Sequence, residues 1–453
     1  MSLELLTLPR PTLPDALLEY DRDPLKFMTR CAHEFGEMVP LQFEGELYCL
    51  LTNPAHITEV LKDRLRFIKD RDTRRLQGLL GNGLVTSEGD FWQRQRRLSQ
   101  PLFHQQRISG YGAVMVDYTQ RRLKTWQAGQ VLDIHAEMTR LTLDIVMKTI
   151  FDQDVSDREA AHVANALDEA MNWFTSKAAD RSSWLARSLQ AIGLRVSDAD
   201  HRYQTALTLL DETIYVMIQQ RRQQQREHSA GADLLSLLMQ VEDAEDGSRM
   251  SDRQLRDEVA TMISAGHETT ANTLAWTWML LAQHPQVRSQ LQAELARVLQ
   301  GRTATFEDLP QLPYAHWVIK ETLRLYPTVT DIGREAVEDC EIGGYRIAKG
   351  TTLIMSQWVM HRDERYFADP EMFKPERWAD NFEKQLPPGV YFPFGGGPRI
   401  CIGSSFAMME AVLILVTIAQ RFDLNLVATE AIEPQPSFTL RPRQGIQVRL
   451  ASV

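Results

Sequence analysis

The run Phe394-Gly395-Gly396-Gly397-Pro398-Arg399-Ile400-Cys401-Ile402-Gly403 constrains this chain more than any other segment. Its glycines allow tight backbone turns close to a ligand. Cys401 then stands at the entrance of a predicted helix, whose N-terminus stabilises negative charge and poises the sulfur as a thiolate. A single thiolate wrapped by a glycine-rich loop is what a haem iron requires on its proximal side. Competing motifs fail on spacing. A phosphate-binding loop of the G-x-x-x-x-G-K-[ST] type needs a lysine that is missing here. A dinucleotide loop needs a βαβ unit, and none is patterned around this segment. An isolated cysteine beside a turn reads as buried packing; ten residues of context argue against that reading here.

The rest of the chain has an ordinary globular make-up. Of its 453 residues 43% are hydrophobic and 24% charged, enough for a large core and incompatible with general disorder. Asp and Glu number 60 against 50 Lys and Arg, a formal charge of −10, which disfavours nucleic-acid binding unless basic residues cluster. Cys31, Cys49, Cys340 and Cys401 contain no C-x-x-C pair. A zinc ribbon or dithiol redox site is therefore not expected, and a reduced, cytoplasmic setting is. Pro9, Pro11 and Pro14 defeat a secretory leader. The longest compact apolar run, 411–416, is far short of the roughly 20 residues that a membrane span needs.

Hydrophobic spacing predicts a mainly α chain with a small β region. A helix is expected over 24–36, a hairpin over 38–43 and 46–51, and a helix opened by Asn53-Pro54. The stretch 71–89 reads as a loop, and 141–151, 202–225 and 234–241 show helical spacing. Ser251 is the expected N-cap of a helix running to about residue 284 before Pro285, a length of roughly 50 Å. Short strands are expected within 340–347 and 351–357, an irregular Pro-rich stretch over 369–398, then a helix after Cys401 and a strand-like tail. With no repeat, linker or composition break, 1–453 reads as a single large domain.

The run at 394–403 is similar at each fixed position to the haem-binding signature of cytochromes P450, F-G-x-G-x-R-x-C-x-G. The resemblance implies the cytochrome P450 fold, with the long helix over the haem, and haem b (iron protoporphyrin IX) as cofactor. It makes Cys401 the axial iron ligand. Phe394 shields the sulfur, Gly395 and Gly403 belong to the wrap, and Arg399 pairs with a haem propionate. Glu321-Thr322-Leu323-Arg324 resembles the family's E-x-x-R. Residues three apart share a helix face and can pair, and the resemblance joins Glu321 and Arg324 to Arg377 of Pro375-Glu376-Arg377-Trp378 as a structural triad. Ala265-Gly266-His267-Glu268-Thr269-Thr270, in the long helix, is similar to [AG]-G-x-[DE]-T-[TS]. Glycine inside a helix costs about 1 kcal/mol relative to alanine, which suggests that a ligand needs the room beside Ala265 and Gly266. The resemblance makes Glu268 and Thr269 the proton-delivering pair. His267-Glu268 starts an H-E-x-x-H zinc motif that fails at Ala271, so His267 is expected to be exposed or packed. Trp92 and Arg96 form W-x-x-x-R and, with Arg334, are implied as further propionate partners. The lead-in Gly83-Leu84-Val85-Thr86-Ser87 resembles the microsomal-like branch, here without its membrane anchor.

The implied activity is that of a haem-thiolate monooxygenase. It places one oxygen atom of dioxygen in a hydrophobic substrate, a fatty acid, terpenoid, carotenoid or polyketide-like molecule. Matching regions make Leu84, Val85, Met171, Trp173, Phe174, Ile263, Ala265, Val329 and Ile332 the pocket wall, although Trp173 reads equally as helix packing. Arg71, Arg74 and Arg75 either meet a substrate carboxylate or are solvated. No fused reductase is patterned after Cys401, so electrons are expected from NAD(P)H through a ferredoxin or flavodoxin-type donor and its reductase. Arg94, Arg97 and Arg107 are the candidate docking patch. Two other classes remain open: a thiolate-haem peroxygenase or isomerase, and a non-catalytic haem sensor.

Overall fold

The computed structural model describes residues 3–12, 15–43, 45–152, 163, 165–167, 169–171, 173, 198–227, 233–242, 247–427 and 431–453. The chain falls into two compact units. The first comprises Met1–Thr73, Met115–Met138 and Thr269–Val453. The second comprises Arg74–Val114 and Thr139–Glu268. One division falls inside the long helix, between Glu268 and Thr269.

The first unit holds a five-stranded sheet. The expected hairpin, Met38–Phe43 with Glu46–Leu51, is present, with Pro40 opposite Cys49. Glu46–Leu51 pairs in parallel with Thr352–Ser356, which pairs in turn with Asp331–Ala336 and so with Phe67–Lys69. Proline opens several helices, where its missing N–H costs nothing: Pro24–Phe35, Pro54–Lys62, Pro285–Leu299 and Pro313–Leu325. Asn53 caps the second of these through its side-chain oxygen, 2.8 Å from the Ala55 amide. Glu294 caps the fourth from the preceding helix, accepting the amides of Tyr314 at 2.8 Å and Ala315 at 2.9 Å. The apolar run 411–416 lies in Ser404–Ala419, a helix buried on all sides from Met409 onward. A helix that is hydrophobic all round belongs in a core.

The second unit packs Gly89–Ser99, Asp198–Glu227, Leu234–Gln240 and the first half of Asp252–Gln283 around one apolar cluster that includes Leu98, Val146, Ile214, Leu235, Val259 and Ile263. Ser251 caps the long helix as expected, in a reciprocal pair. The Gln254 amide donates to Ser251 Oγ at 3.3 Å, and the Ser251 amide donates to Gln254 Oε1 at 2.8 Å. At 32 residues the helix is about 48 Å long. The stretch read as a loop over 71–89 contains two short helices, Arg71–Arg75 and Gln77–Leu80. They are too short to show periodicity.

Candidate active site

In the first unit, the loop before Ser404–Ala419 is closed on itself. The Cys401 amide donates to the Phe394 carbonyl at 2.9 Å, Gly395 N–H to Phe392 O at 2.8 Å, and Ile400 N–H to Gly397 O at 3.2 Å. Cys401 stands three residues ahead of the helix, not in it, because Gly403 is the N-cap residue. The glycines are needed for close approach. A Cβ on Gly397, whose φ is +63°, would lie 2.1 Å from the Leu61 carbonyl oxygen; one on Gly396 would sit 3.1 Å from Leu61 Cδ1, and one on Gly395 3.4 Å from Ile332 Cδ1. Cys401 is accessible. Cys31 and Cys49 are buried, and burial pushes their thiols up to about 12. Cys340 is half-buried and desolvation raises its thiol as well, so the sulfur at 401 is the exposed one of the four.

Behind the loop, Glu321 collects five donors. Its Oε1 accepts Arg324 Nη2 at 2.9 Å, Arg377 Nε at 2.9 Å and the Lys374 amide at 3.0 Å. Its Oε2 accepts Arg324 Nε at 3.0 Å and Trp378 Nε1 at 2.9 Å. Arg324 spends its remaining donors on the carbonyls of His361, Pro370 and Met372. The expected triad is thus buried and fully bonded, the condition under which a buried ion pair is tolerated. The Trp378 and Lys374 bonds to Glu321 go beyond the motif, which named Trp378 only as the neighbour of Arg377. The pair that holds Phe392, two residues before the loop, goes beyond it too. Phe392 N–H donates to His361 Nε2 at 3.0 Å, and Gln357 Nε2 donates to Phe392 O at 2.6 Å. Desolvation pushes His361 down to about 3. Glu410 is fully buried in the helix that follows Cys401, and burial pushes its carboxyl up to about 8.

Arg399 ends a short turn, Gly397–Arg399, and is half-buried. Arg334 is buried, with Nη1 on the Gly333 carbonyl at 2.8 Å, in a strand opposite Leu353 and Lys69. Ile332 and Val329 are half-buried in the same unit. Arg71 is not open to a substrate carboxylate: Glu46 and Glu335 already pair with it.

In the second unit, Trp92 is buried and Arg96 half-buried, one turn apart on Gly89–Ser99. Arg94 reaches Ser248 Oγ at 2.7 Å, while Arg97 and Arg107 are exposed. Leu84 N–H donates to Glu258 Oε2 at 3.2 Å. Val85 and Ile263 join the apolar cluster. Trp173 is committed to packing: it stacks on Tyr203 at 4.1 Å and donates to Asp200 Oδ1 at 2.6 Å. Met171 is buried in that cluster, and Phe174 lies outside the described residues.

The long helix has one open stripe. Over residues 255–281 every position is buried except Met262, Ser264, Ala265, Gly266 and Thr269. Four of these follow the three–four spacing of a single face, and Ala265 is exposed. The room at Gly266 has a protein occupant, since its missing Cβ would sit 3.2 Å from Val146 Cγ2. His267 is packed, with Nδ1 2.8 Å from the Ile263 carbonyl. Glu268 is buried and Thr269 half-buried.

These residues fit a haem. Cys401 offers an accessible soft donor, the glycines let the loop lie close against Leu61 and Ile332, and Arg399 and Arg334 supply cations for carboxylates. Comparison with known proteins agrees. The family model described as Cytochrome P450 matches residues 13–450. Cyclooctat-9-en-7-ol 5-monooxygenase of Streptomyces melanosporofaciens is 34% identical over 90% of this chain and 86% of its own. Pentalenene oxygenase of Streptomyces avermitilis is 30% identical over 95% and 93%. The crystal structure of cytochrome P450DA heme domain superposes with a TM-score of 0.86 at 29% identity, covering 98% of each chain. Among the described residues no helix is long and apolar enough to cross a membrane.

Proposed function

The chain belongs to the cytochrome P450 family, and we propose that it is a monooxygenase of terpenoid-type hydrocarbons and alcohols. The observation that carries the substrate class is the pair of relatives named for pentalenene and cyclooctat-9-en-7-ol.

A haem held by Cys401 supplies dioxygen activation, helped by electron donation from the thiolate. The balance is one substrate C–H, one dioxygen, two electrons and two protons in; one alcohol and one water out. Arg399 and Arg334 would offer cations to the haem propionates, a role that the family resemblance also gives Arg96 and Trp92. Glu268 and Thr269 hold and pass the protons at their carboxyl and hydroxyl oxygens. The electrons come from NAD(P)H through a ferredoxin or flavodoxin-type donor, for which exposed Arg97 and Arg107 offer a basic contact.

The test has two stages. Reduced wild-type protein with carbon monoxide should show a strongly red-shifted Soret band that Cys401→Ala lacks. A cyclic terpene or terpene alcohol, a surrogate ferredoxin system and isotopically labelled dioxygen should then yield an alcohol carrying the label. Product formed with peroxide alone and not with the electron donor would favour the peroxygenase reading. Haem binding with no turnover in either system would favour a sensor.

A further inference from the structure

The helix Ile134–Phe151 grips the long helix immediately before Glu268. Thr142 Oγ1 donates to the His267 carbonyl at 2.9 Å. The same hydroxyl lies 3.3 Å from the Thr139 carbonyl in its own helix. A hydroxyl has one proton to give, and the shorter cross-helix bond takes it. One turn on, Val146 Cγ2 fills the space beside Gly266 at 3.2 Å from where a Cβ would stand. Thr142 and Val146 share a face at i, i+4, so a donor and a methyl group act on consecutive residues, 267 and 266. Thr142 is fully buried and His267 nearly so, and water does not compete for the carbonyl.

The 267 carbonyl belongs to the planar peptide whose N–H is that of Glu268. A helix carbonyl that accepts a second donor tilts away from the axis and lengthens its own intrahelical bond. We propose that Thr142 is a positioning residue for the Glu268–Thr269 pair. It holds the 267–268 peptide plane, with Val146 as a steric stop, and so sets what fraction of the electrons consumed ends in oxygenated product and what fraction in hydrogen peroxide. This rests on the monooxygenase reading.

The test uses the haem-loaded protein with Thr142→Val, which keeps the shape and loses the donor, and Thr142→Ser, which keeps the donor. Product formed per NADPH should fall about fivefold in Thr142→Val, the worth of one net hydrogen bond, with peroxide rising to match. Thr142→Ser should restore it. Haem content and the Soret position of the reduced carbon monoxide form should stay at wild-type values, and the melting temperature of Thr142→Val should fall by no more than a few degrees, as the loss of one buried hydrogen bond requires. The infrared C–O stretch of that form, which senses the distal side without turnover, should broaden in Thr142→Val and sharpen in Thr142→Ser. Unchanged coupling and an unchanged C–O band in Thr142→Val overturn the proposal, as does equal loss in both variants. Val146→Ala, which keeps the hydrogen bond and removes the stop, is the second arm should Thr142→Val not bind haem: a broadened C–O band supports the proposal and a wild-type band overturns it. A wild-type protein that yields no product with any donor sinks the monooxygenase reading, and the C–O band still decides the role of Thr142.

Discussion

Nε2 of His361 accepts the backbone N–H of Phe392 at 3.0 Å, so this ring must keep that nitrogen unprotonated. Desolvation and the nearby Arg324 charge lower the histidine from 6.5 to about 3 in the folded protein. The folded chain therefore binds fewer protons than the unfolded one between these values. The stabilisation is fully present above pH 6.5 and is lost as pH falls towards 3, a total on the order of 5 kcal/mol. Thermal midpoints measured across that range should drop with acidity. His361→Gln, which offers an oxygen acceptor that does not titrate, should flatten the slope. An unchanged slope in the variant would show that other groups govern acid lability.

Glu410 should give the opposite slope. Its carboxyl, raised from 4.5 to about 8 by burial, stays protonated in the fold where the unfolded chain has released its proton. Stability from this group is complete below pH 4.5 and declines as pH rises through 8, at up to about 1.4 kcal/mol per pH unit. Glu410→Gln should hold its melting temperature across that window while the wild type loses ground. Parallel profiles would contradict a buried neutral acid at this position.

The five donors on Glu321 are not equal. Glu321→Gln strands Arg324 and Arg377, whose side chains are 0% and 6% exposed, and should cost about 3–5 kcal/mol or abolish haem incorporation. Trp378→Phe removes one donor to the carboxylate and leaves the ion pairs intact, so a smaller loss of about 1.5–3 kcal/mol is expected. Denaturant midpoints of the two variants give the comparison; equal losses would mean that ring packing, not charge, dominates.

Gly397→Ala meets two obstacles: a φ of +63° and a Leu61 carbonyl oxygen 2.1 Å from the new Cβ. Backbone strain alone costs about 1–3 kcal/mol, and the clash forces the loop away from Leu61. The variant should fold with a markedly lowered haem content at unchanged far-ultraviolet dichroism. Wild-type haem loading would show that the loop relaxes without moving Cys401.

What sequence alone made legible was local structure that demands particular residue types at fixed spacing. The closed glycine loop that carries Cys401, the Glu321–Arg324 pair with Arg377, and the Ser251-capped helix are all of that kind. The partners that complete these features were hidden, because nothing local marks them. His361 lies 31 residues from Phe392 in no pattern of its own, and Trp378, although it ends the Pro375–Trp378 stretch, bonds Glu321 57 residues away. Gly266 shows a third limit. Its helix position signals that something needs room, but only the fold names Val146 as the occupant. Trp173 was ambiguous between wall and packing until its stacking partner Tyr203 and its acceptor Asp200 were known.

The parallel pairing of Glu46–Leu51 with Thr352–Ser356 has a consequence for biosynthesis. Tyr48 and its partner Thr352 are separated by 304 positions (352 − 48). A ribosome adding about 5–20 residues per second needs roughly 15–60 s to deliver the second strand after the first has emerged. During that interval the nascent hairpin presents an unsealed edge, a template for strand exchange with neighbouring chains. Yield in a heterologous host should therefore be governed by elongation speed and holdase supply as much as by haem availability. A circular permutant opened between these two strands would cut their separation to 149 positions (453 − 352 + 48), about half, and shorten the exposed interval in proportion.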